Sequence, residues 1–540
     1  MADEAPADIS RPTFDKEHWA ADVYRTTKLG YPMLIYRHRP RRITAVLAEA
    51  RRWHSRPFII QGGRTITFEQ HERMVLHIAN GLQAHGVRPM DRVAIYAANS
   101  ADWVATFFAV LSLGAVVVPC NGWWSAEELG HACSHGDPAI VITDDKRSTR
   151  VPRGLATATL SELLAADAPC GTYENSITRR CDEDDPALIL FTAGTTGFPK
   201  GAILSHRSLV ANLQTLLVTS RKLPDQLSDD VPASVAIVGL PLFHIGAIQM
   251  FLVPLVTGAR LIFLEGRFDA GLVLKLIESH GATMFSGVPT MMERMLRHPD
   301  IGRRDLSSLR TVVLGGAPVG DELLASVRKA LPATSRGLGR TYGLTEAGGV
   351  VSTGVGASIL DHPGSVGKPA PVVEVRIDAA SRDASGPILV RSPAAMDGYW
   401  GEPDDRTLDG DGWLDTGDIG HVDREGFLYV TERKKDIIIR GGENIASARV
   451  EAVLRSHPSV ADAAVVGLPD TDLGQIVCAA VTLSETGELI TAEDLTAYAH
   501  MRLAHFEVPA RWWLRSGNLP TNAAGKIAKS QIIAEWPTES

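Results

Sequence analysis

The stretch Phe191-Thr192-Ala193-Gly194-Thr195-Thr196-Gly197-Phe198-Pro199-Lys200-Gly201 concentrates residue types that bind anions. Its glycines let backbone N–H groups approach a phosphate, its hydroxyls can donate to phosphate oxygens, and Lys200 supplies a point charge. The stretch directly follows the apolar run Leu188–Phe191, so it reads as a phosphate loop leaving a buried strand. It is not a Walker A loop, which requires glycine where Pro199 stands. No Gly-x-Ser-x-Gly elbow occurs in the chain, so nothing signals a serine nucleophile.

The elements that must position this loop are legible in the hydropathy pattern. Short β-branched runs recur between amphipathic segments at Val93–Tyr96, Ala139–Thr143, Leu188–Thr192, Ser234–Val238, Leu261–Leu264 and Thr311–Leu314. Such alternation predicts α/β layers. Ser125 followed by Glu128 predicts a reciprocal capping box at a helix start. The longest apolar stretch, Val104 to Cys120, is too short and too interrupted for a membrane span and reads as a buried helix running into a buried strand. After about residue 430 the run Glu432-Arg433-Lys434-Lys435-Asp436 leads into a tail with its own α+β pattern. We expect a large α/β unit over 1–432 and a small mobile α+β unit over 433–540, hinged near Asp436.

The chain has 540 residues, more than one hydrophobic core supports, and 45% hydrophobic residues, as a folded protein should. Its 54 basic and 63 acidic side chains leave a net charge of −9, the wrong sign for a phosphate-backbone partner, so nucleic acid is excluded as the main partner. Five scattered cysteines without Cys-x-x-Cys spacing fit reduced thiols, and the acidic start lacks a signal peptide pattern; a cytoplasmic location is expected, with at most peripheral membrane contact. A homodimer is compatible with this composition.

The eleven-residue loop resembles the signature of the adenylate-forming superfamily of acyl-CoA synthetases, adenylation domains and luciferases. Further motifs of that family follow in order: Pro241-Leu242-Phe243-His244, Gly315-Gly316-Ala317-Pro318, Tyr342-Gly343-Leu344-Thr345-Glu346, and Gly412-Trp413-Leu414-Asp415-Thr416-Gly417-Asp418. Arg433-Lys434-Lys435-Asp436, Gly441-Gly442-Glu443-Asn444 and Pro520 through Gly525-Lys526 complete the set. The resemblance implies an ATP-dependent ligase that activates a carboxylic acid as its adenylate, expels pyrophosphate and passes the acyl group to coenzyme A. A free carboxylate is a poor electrophile, and the transition state of its activation is rich in negative charge. Cations and hydrogen-bond donors therefore matter more than a nucleophile.

By that resemblance, Lys526 bridges the attacking carboxylate and the nucleotide, and Glu346 with Thr192 holds Mg²⁺. Thr345 contacts the α-phosphate, and Thr192, Gly194, Thr195, Thr196, Gly197 and Lys200 cradle the phosphates. Tyr342, flanked by Thr341 and Gly343, stacks on adenine opposite Gly316, Ala317 and Pro318. Asp418 and Arg433 hold the ribose, His244 stands between acyl pocket and nucleotide, and Gly441 and Gly442 leave room for the pantetheine arm of coenzyme A. Several positions depart from the family pattern: Ala193 removes one hydroxyl donor to the phosphates, Glu432 and Thr521 replace a usual glycine and a usual basic residue, and Ser447 and Arg449 alter the surroundings of the coenzyme A tunnel, while the core roles survive. The segment from His244 to Thr290 is strongly apolar, with Met250, Phe251, Leu252, Met284 and Phe285, and is expected to build much of the acyl pocket. A fatty acid is the first expectation for the acid; an aryl acid of the cinnamate or benzoate type is the alternative. Amino-acid-activating relatives usually carry Asp where His244 stands, which argues against an amino acid.

Overall fold

The structure is a computed structural model that describes residues 19–165, 181–192, 200–230, 232–379, 384–401, 408–433, 437–440, 443–470, 473–484, 490–503, 505–522 and 526–537. Two largely parallel sheets dominate. The first has nine strands in the order Lys368–Pro369, Gly349–Val355, Gly337–Leu344, Thr311–Gly315, Met284–Gly287, Val235–Val238, Arg260–Phe263, Pro57–Gln61 and Arg64–Thr67. Its six central strands run parallel, and antiparallel strands close both edges. The second has six strands in the order Lys200–Ser205, Pro186–Thr192, Val116–Pro119, Arg92–Tyr96, Ile140–Thr143 and Thr157–Thr159.

All six β-branched runs singled out above are strands, displaced by at most two residues at either end. The Val104–Cys120 stretch is indeed a buried helix, Ala101–Ser112, followed by the buried strand Val116–Pro119. Ser125 and Glu128 form the expected capping box. Among the described residues no helix is long and apolar enough to cross a membrane. A four-stranded antiparallel sheet follows over 374–433, and a separate five-stranded sheet is built wholly from residues after 436, with the strand Arg511–Arg515 parallel to Gly474–Leu483.

The main core lies between the two large sheets, where helices from both sides meet. Phe251 packs edge-on against Trp103, Phe107 and Phe108 with ring centroids 6.2, 5.2 and 5.9 Å apart, and all four rings are buried. This overturns part of the pocket expectation. Phe251, Leu252 and Phe285 are fully buried in hydrophobic clusters, so the helix Ile245–Thr257 is apolar chiefly because it is a core helix. Only Ile245, Gly246, Gln249, Met250, Val253 and Thr257 on that helix keep accessible surface.

Phe251→Ala should therefore cost ~3–5 kcal/mol, as for large aromatic truncations in a packed core. Denaturant unfolding followed by tryptophan fluorescence measures this, and a loss below ~1 kcal/mol would show that the helix is not a core element.

Candidate functional site

In open parallel sheets, ligands bind beyond the carboxyl ends of the strands, where the loops carry the variable chemistry. Three of four adjacent strand ends of the nine-stranded sheet deliver the expected residues to one place. Strand Val235–Val238 leads through Gly239–Phe243 to His244. Strand Thr311–Gly315 ends at Gly316-Ala317-Pro318, and strand Gly337–Leu344 carries Thr341, Tyr342 and Gly343 into Thr345 and Glu346. Gly316 has φ +75°, a left-handed conformation that glycine adopts without strain.

Asp418 and Tyr342 meet across two sheets: the Tyr342 hydroxyl donates to Asp418 Oδ2 at 2.7 Å, and Asp418 is only 2% exposed. The contact fixes the tyrosine ring beside the carboxylate. Asp418 pairs with Arg433 in the antiparallel register of strands Leu414–Val422 and Leu428–Arg433, so the two residues predicted to share a sugar are strand neighbours. Glu346 accepts from the Tyr399 hydroxyl at 3.2 Å on Oε1, and its backbone carbonyl accepts from Met396 N at 2.9 Å. Lys200 lies over the Tyr399 ring, 5.1 Å from its centroid, and pairs in the strand register with Thr192. Lys200, Thr192, Tyr399 and Glu346 thus form one contiguous edge. A single carboxylate held on one oxygen suits Mg²⁺, which takes one or two carboxylates and completes its shell with phosphates and water. The structure therefore fits ATP with Mg²⁺ at this edge, the metal supplying charge neutralisation.

Lys526 comes from the other unit. A Cβ placed on Gly316 would lie 3.7 Å from Lys526 Cε, and the cation acts electrostatically on His244. The lysine is fixed by Asn522, whose Oδ1 accepts from Lys526 N at 3.0 Å while Asn522 N donates to Lys526 O at 2.7 Å. Arg297 donating to Ala461 O at 3.4 Å also joins the two units. His244 caps the start of helix Ile245–Thr257 with Nε2 buried and without a partner. Burial, aided by Lys526, pushes its imidazole down to about 4. Gly194, Thr195, Thr196, Gly197, Asp436, Gly441 and Gly442 lie outside the described residues, as does the side chain of Arg433.

The sequence reading missed three supports. Asn99, in the loop after strand Arg92–Tyr96 of the six-stranded sheet, donates to Leu240 O at 2.8 Å and accepts from Leu242 N at 2.9 Å, clamping the turn that aims His244. Tyr399 orients Glu346. The buried Asn212 and the half-buried Gln249 form an amide pair beneath the Glu346 loop. Asn and Tyr outside any motif give no sequence signal; an isolated Gln in an otherwise apolar helix does.

With this geometry in view, the comparisons are direct. The sequence matches the AMP-binding enzyme family over residues 46–400 and the AMP-binding enzyme C-terminal domain over 449–526. It is 36% identical over 490 residues to a feruloyl-CoA synthase from an Amycolatopsis species, covering 87% of this chain and 94% of that protein. It is 31% identical over 526 residues to a long-chain-fatty-acid–CoA ligase from Bacillus subtilis, covering 88% and 90%. Among solved structures, o-succinylbenzoate coenzyme A synthetase from Bacillus subtilis, in complex with ATP and magnesium ion, superposes with a TM-score of 0.78 at 29% identity, covering 91% of this chain and 99% of the other. The chain belongs to the AMP-binding, adenylate-forming enzyme superfamily.

The depressed imidazoles make a prediction for acid stability. His71 is held at about 3, and His206 and His244 at about 4, chiefly by burial. Unfolded histidines titrate near ~6.5. Between pH ~6.5 and ~4 the unfolded chain therefore binds protons that the folded one refuses, so stability falls as pH falls through that window; above it these groups contribute nothing. Denaturant midpoints measured from pH 8 to 4 should decline below ~6.5, and His244→Gln should make the acid-side decline shallower. An unchanged slope would mean that His244 is protonated in the fold.

Proposed function

We propose that the chain is an AMP-forming acid–CoA ligase acting on a hydrophobic carboxylic acid. The observation that carries this is Lys526, delivered from the second unit to Gly316 and His244 at the strand ends that also hold Glu346. A mobile cation meets the developing negative charge there, where preorganised donors are worth most. In this reading Tyr342, Thr341, Gly343 and Gly316 to Pro318 enclose adenine, and Asp418 and Arg433 hold the ribose. Thr192, Gly194, Thr195, Thr196, Gly197 and Lys200 receive the phosphates, Thr345 meets the α-phosphate, and Glu346 with Thr192 takes Mg²⁺. The small unit, 433–540, then turns about Asp436, withdrawing Lys526 and presenting Gly441 and Gly442 to pantetheine.

For the acid, two readings compete. The fatty-acid reading leaned on the apolar helix after His244 and draws support from the Bacillus ligase at 31% identity. The aryl-acid reading draws support from the feruloyl-CoA synthase at 36% identity, and from a helix whose largest apolar side chains face the core rather than open space. We take the aryl acid as the better supported.

Lys526→Ala should lower adenylate formation, measured as pyrophosphate release, by ~10²-fold or more, while a supplied acyl-adenylate is still converted to thioester. Equal loss of both half-reactions would remove Lys526 from the adenylation step. A panel of saturated acids from two to sixteen carbons beside benzoate and cinnamate should show higher kcat/KM for an aromatic acid than for any alkyl one. A graded rise of about fourfold per methylene, the increment expected from ~0.8 kcal/mol per buried CH₂, would instead establish the fatty acid.

A further inference from the structure

We propose that Asn212 and Gln249 form the polar far end of the acyl pocket and bind an oxygen substituent on the ring of an aryl carboxylic acid. This rests on the ligase reading above and selects within it. The two amides come from different helices, His206–Thr219 and Ile245–Thr257, and Gln249 Nε2 donates to Asn212 Oδ1 at 2.5 Å. Asn212 is 3% exposed, and its Nδ2 is buried with no hydrogen-bond partner. A primary amide offers two donor hydrogens and a two-lone-pair acceptor, so a single bond between two of them leaves capacity unfilled whichever way each is turned. An unmade buried hydrogen bond is a free-energy cost that a ligand oxygen would recover.

The pair is tied to the site already described. Gly349, three residues beyond Glu346, has φ +124°, and a Cβ there would fall 1.9 Å from Gln249 Nε2 and 2.9 Å from Asn212 Nδ2. Only a glycine lets that loop close over both amides. Between His244 and Gln249 the same helix presents Gly246, where an added Cβ would meet only Leu240 Cδ1 at 3.7 Å, and Gln249 itself is half-buried and keeps accessible surface. Gln249 lies five residues beyond His244, about 7.5 Å along the helix axis. That separation is on the scale of an aromatic ring with its substituent, measured from a carboxylate held at His244. An alkyl chain reaching the same depth would bury two amides against hydrocarbon with nothing to bond, a cost that discriminates against it.

The test compares kcat/KM, from pyrophosphate release with coenzyme A present, for 4-hydroxycinnamate, the same-sized 4-methylcinnamate and decanoate. It uses the wild type, Asn212→Leu and Gln249→Met. The wild type should prefer the hydroxyl over the methyl by ~10-fold or more, and each variant should compress that ratio to within ~3-fold, mainly through KM. Because Gln249 is half-buried, Gln249→Met carries the result even if Asn212→Leu does not fold. A hydroxyl-to-methyl ratio near one in the wild type, as when water fills the orphan donor, would overturn the proposal, and so would a ratio that Gln249→Met leaves unchanged. Turnover of decanoate alone would overturn it while leaving the ligase reading intact; pyrophosphate release with no acid at all would remove both.

Discussion

The parallel register of four adjacent strands is the constraint on which the site depends. Ala236 is level with Met284, Met284 with Thr311, and Thr311 with Gly337. Because parallel strands end on the same side, the segments that follow them open at one edge. Val288, His244, Gly316 and the Tyr342–Glu346 run then converge there without any of them being near another in sequence. The core enforces this register, since these strands are buried and slipping by one residue would swap the side chains that each face packs into its own cluster, as for Val235 and Ile237 on one face and Ala236 and Val238 on the other. A substitution deep in the sheet is therefore expected to act on the site through register rather than contact.

Convergence alone does not aim side chains. The turn before His244 carries no regular structure, and the Asn99 side chain holds it, donating to Leu240 O and accepting from Leu242 N. Glu346 is held on one side by Tyr399, which lies on a segment anchored through Arg207 to Asp397 and Asp184. Arg207 is buried, and removing one carboxylate would leave a charge without compensation, a costly defect. The edge that carries Tyr399 and Glu346 is thus braced by an ionic network centred on the buried Arg207.

Much of this was legible in the chain. The α/β layering, the six strands and the capping box at Ser125 all announced themselves, because periodicity and capping patterns are local properties; the motif residues His244, Gly316 and Lys526 stood out by type and spacing, and the structure brings them together. What was not legible is what depends on distant partners. Nothing near Asn99 says that it will clamp Leu240 and Leu242, and nothing near Tyr399 says that it will meet Glu346. The apolar run after His244 was misread for the same reason: hydrophobicity records burial without saying whether the neighbour is a ligand or a core. Phe251 among Trp103, Phe107 and Phe108 has a core for its neighbour.

That distinction bears on how specificity is built in such a site. A pocket lined by a core helix inherits its shape from packing, and packed interiors resist change by even one methylene. Its selectivity among hydrocarbon acids would be modest, because each added methylene offers only a small free-energy increment. Polar groups discriminate more sharply, since the wrong ligand leaves them buried and unbonded. On a helix whose other side chains are otherwise apolar or small, Gln249 and its partner Asn212 are the groups able to exert that kind of discrimination. His244, kept neutral by burial and by Lys526, adds no second charge beside the lysine. The electrostatics are thus concentrated at Lys526, and discrimination farther along the helix is left to hydrogen bonding.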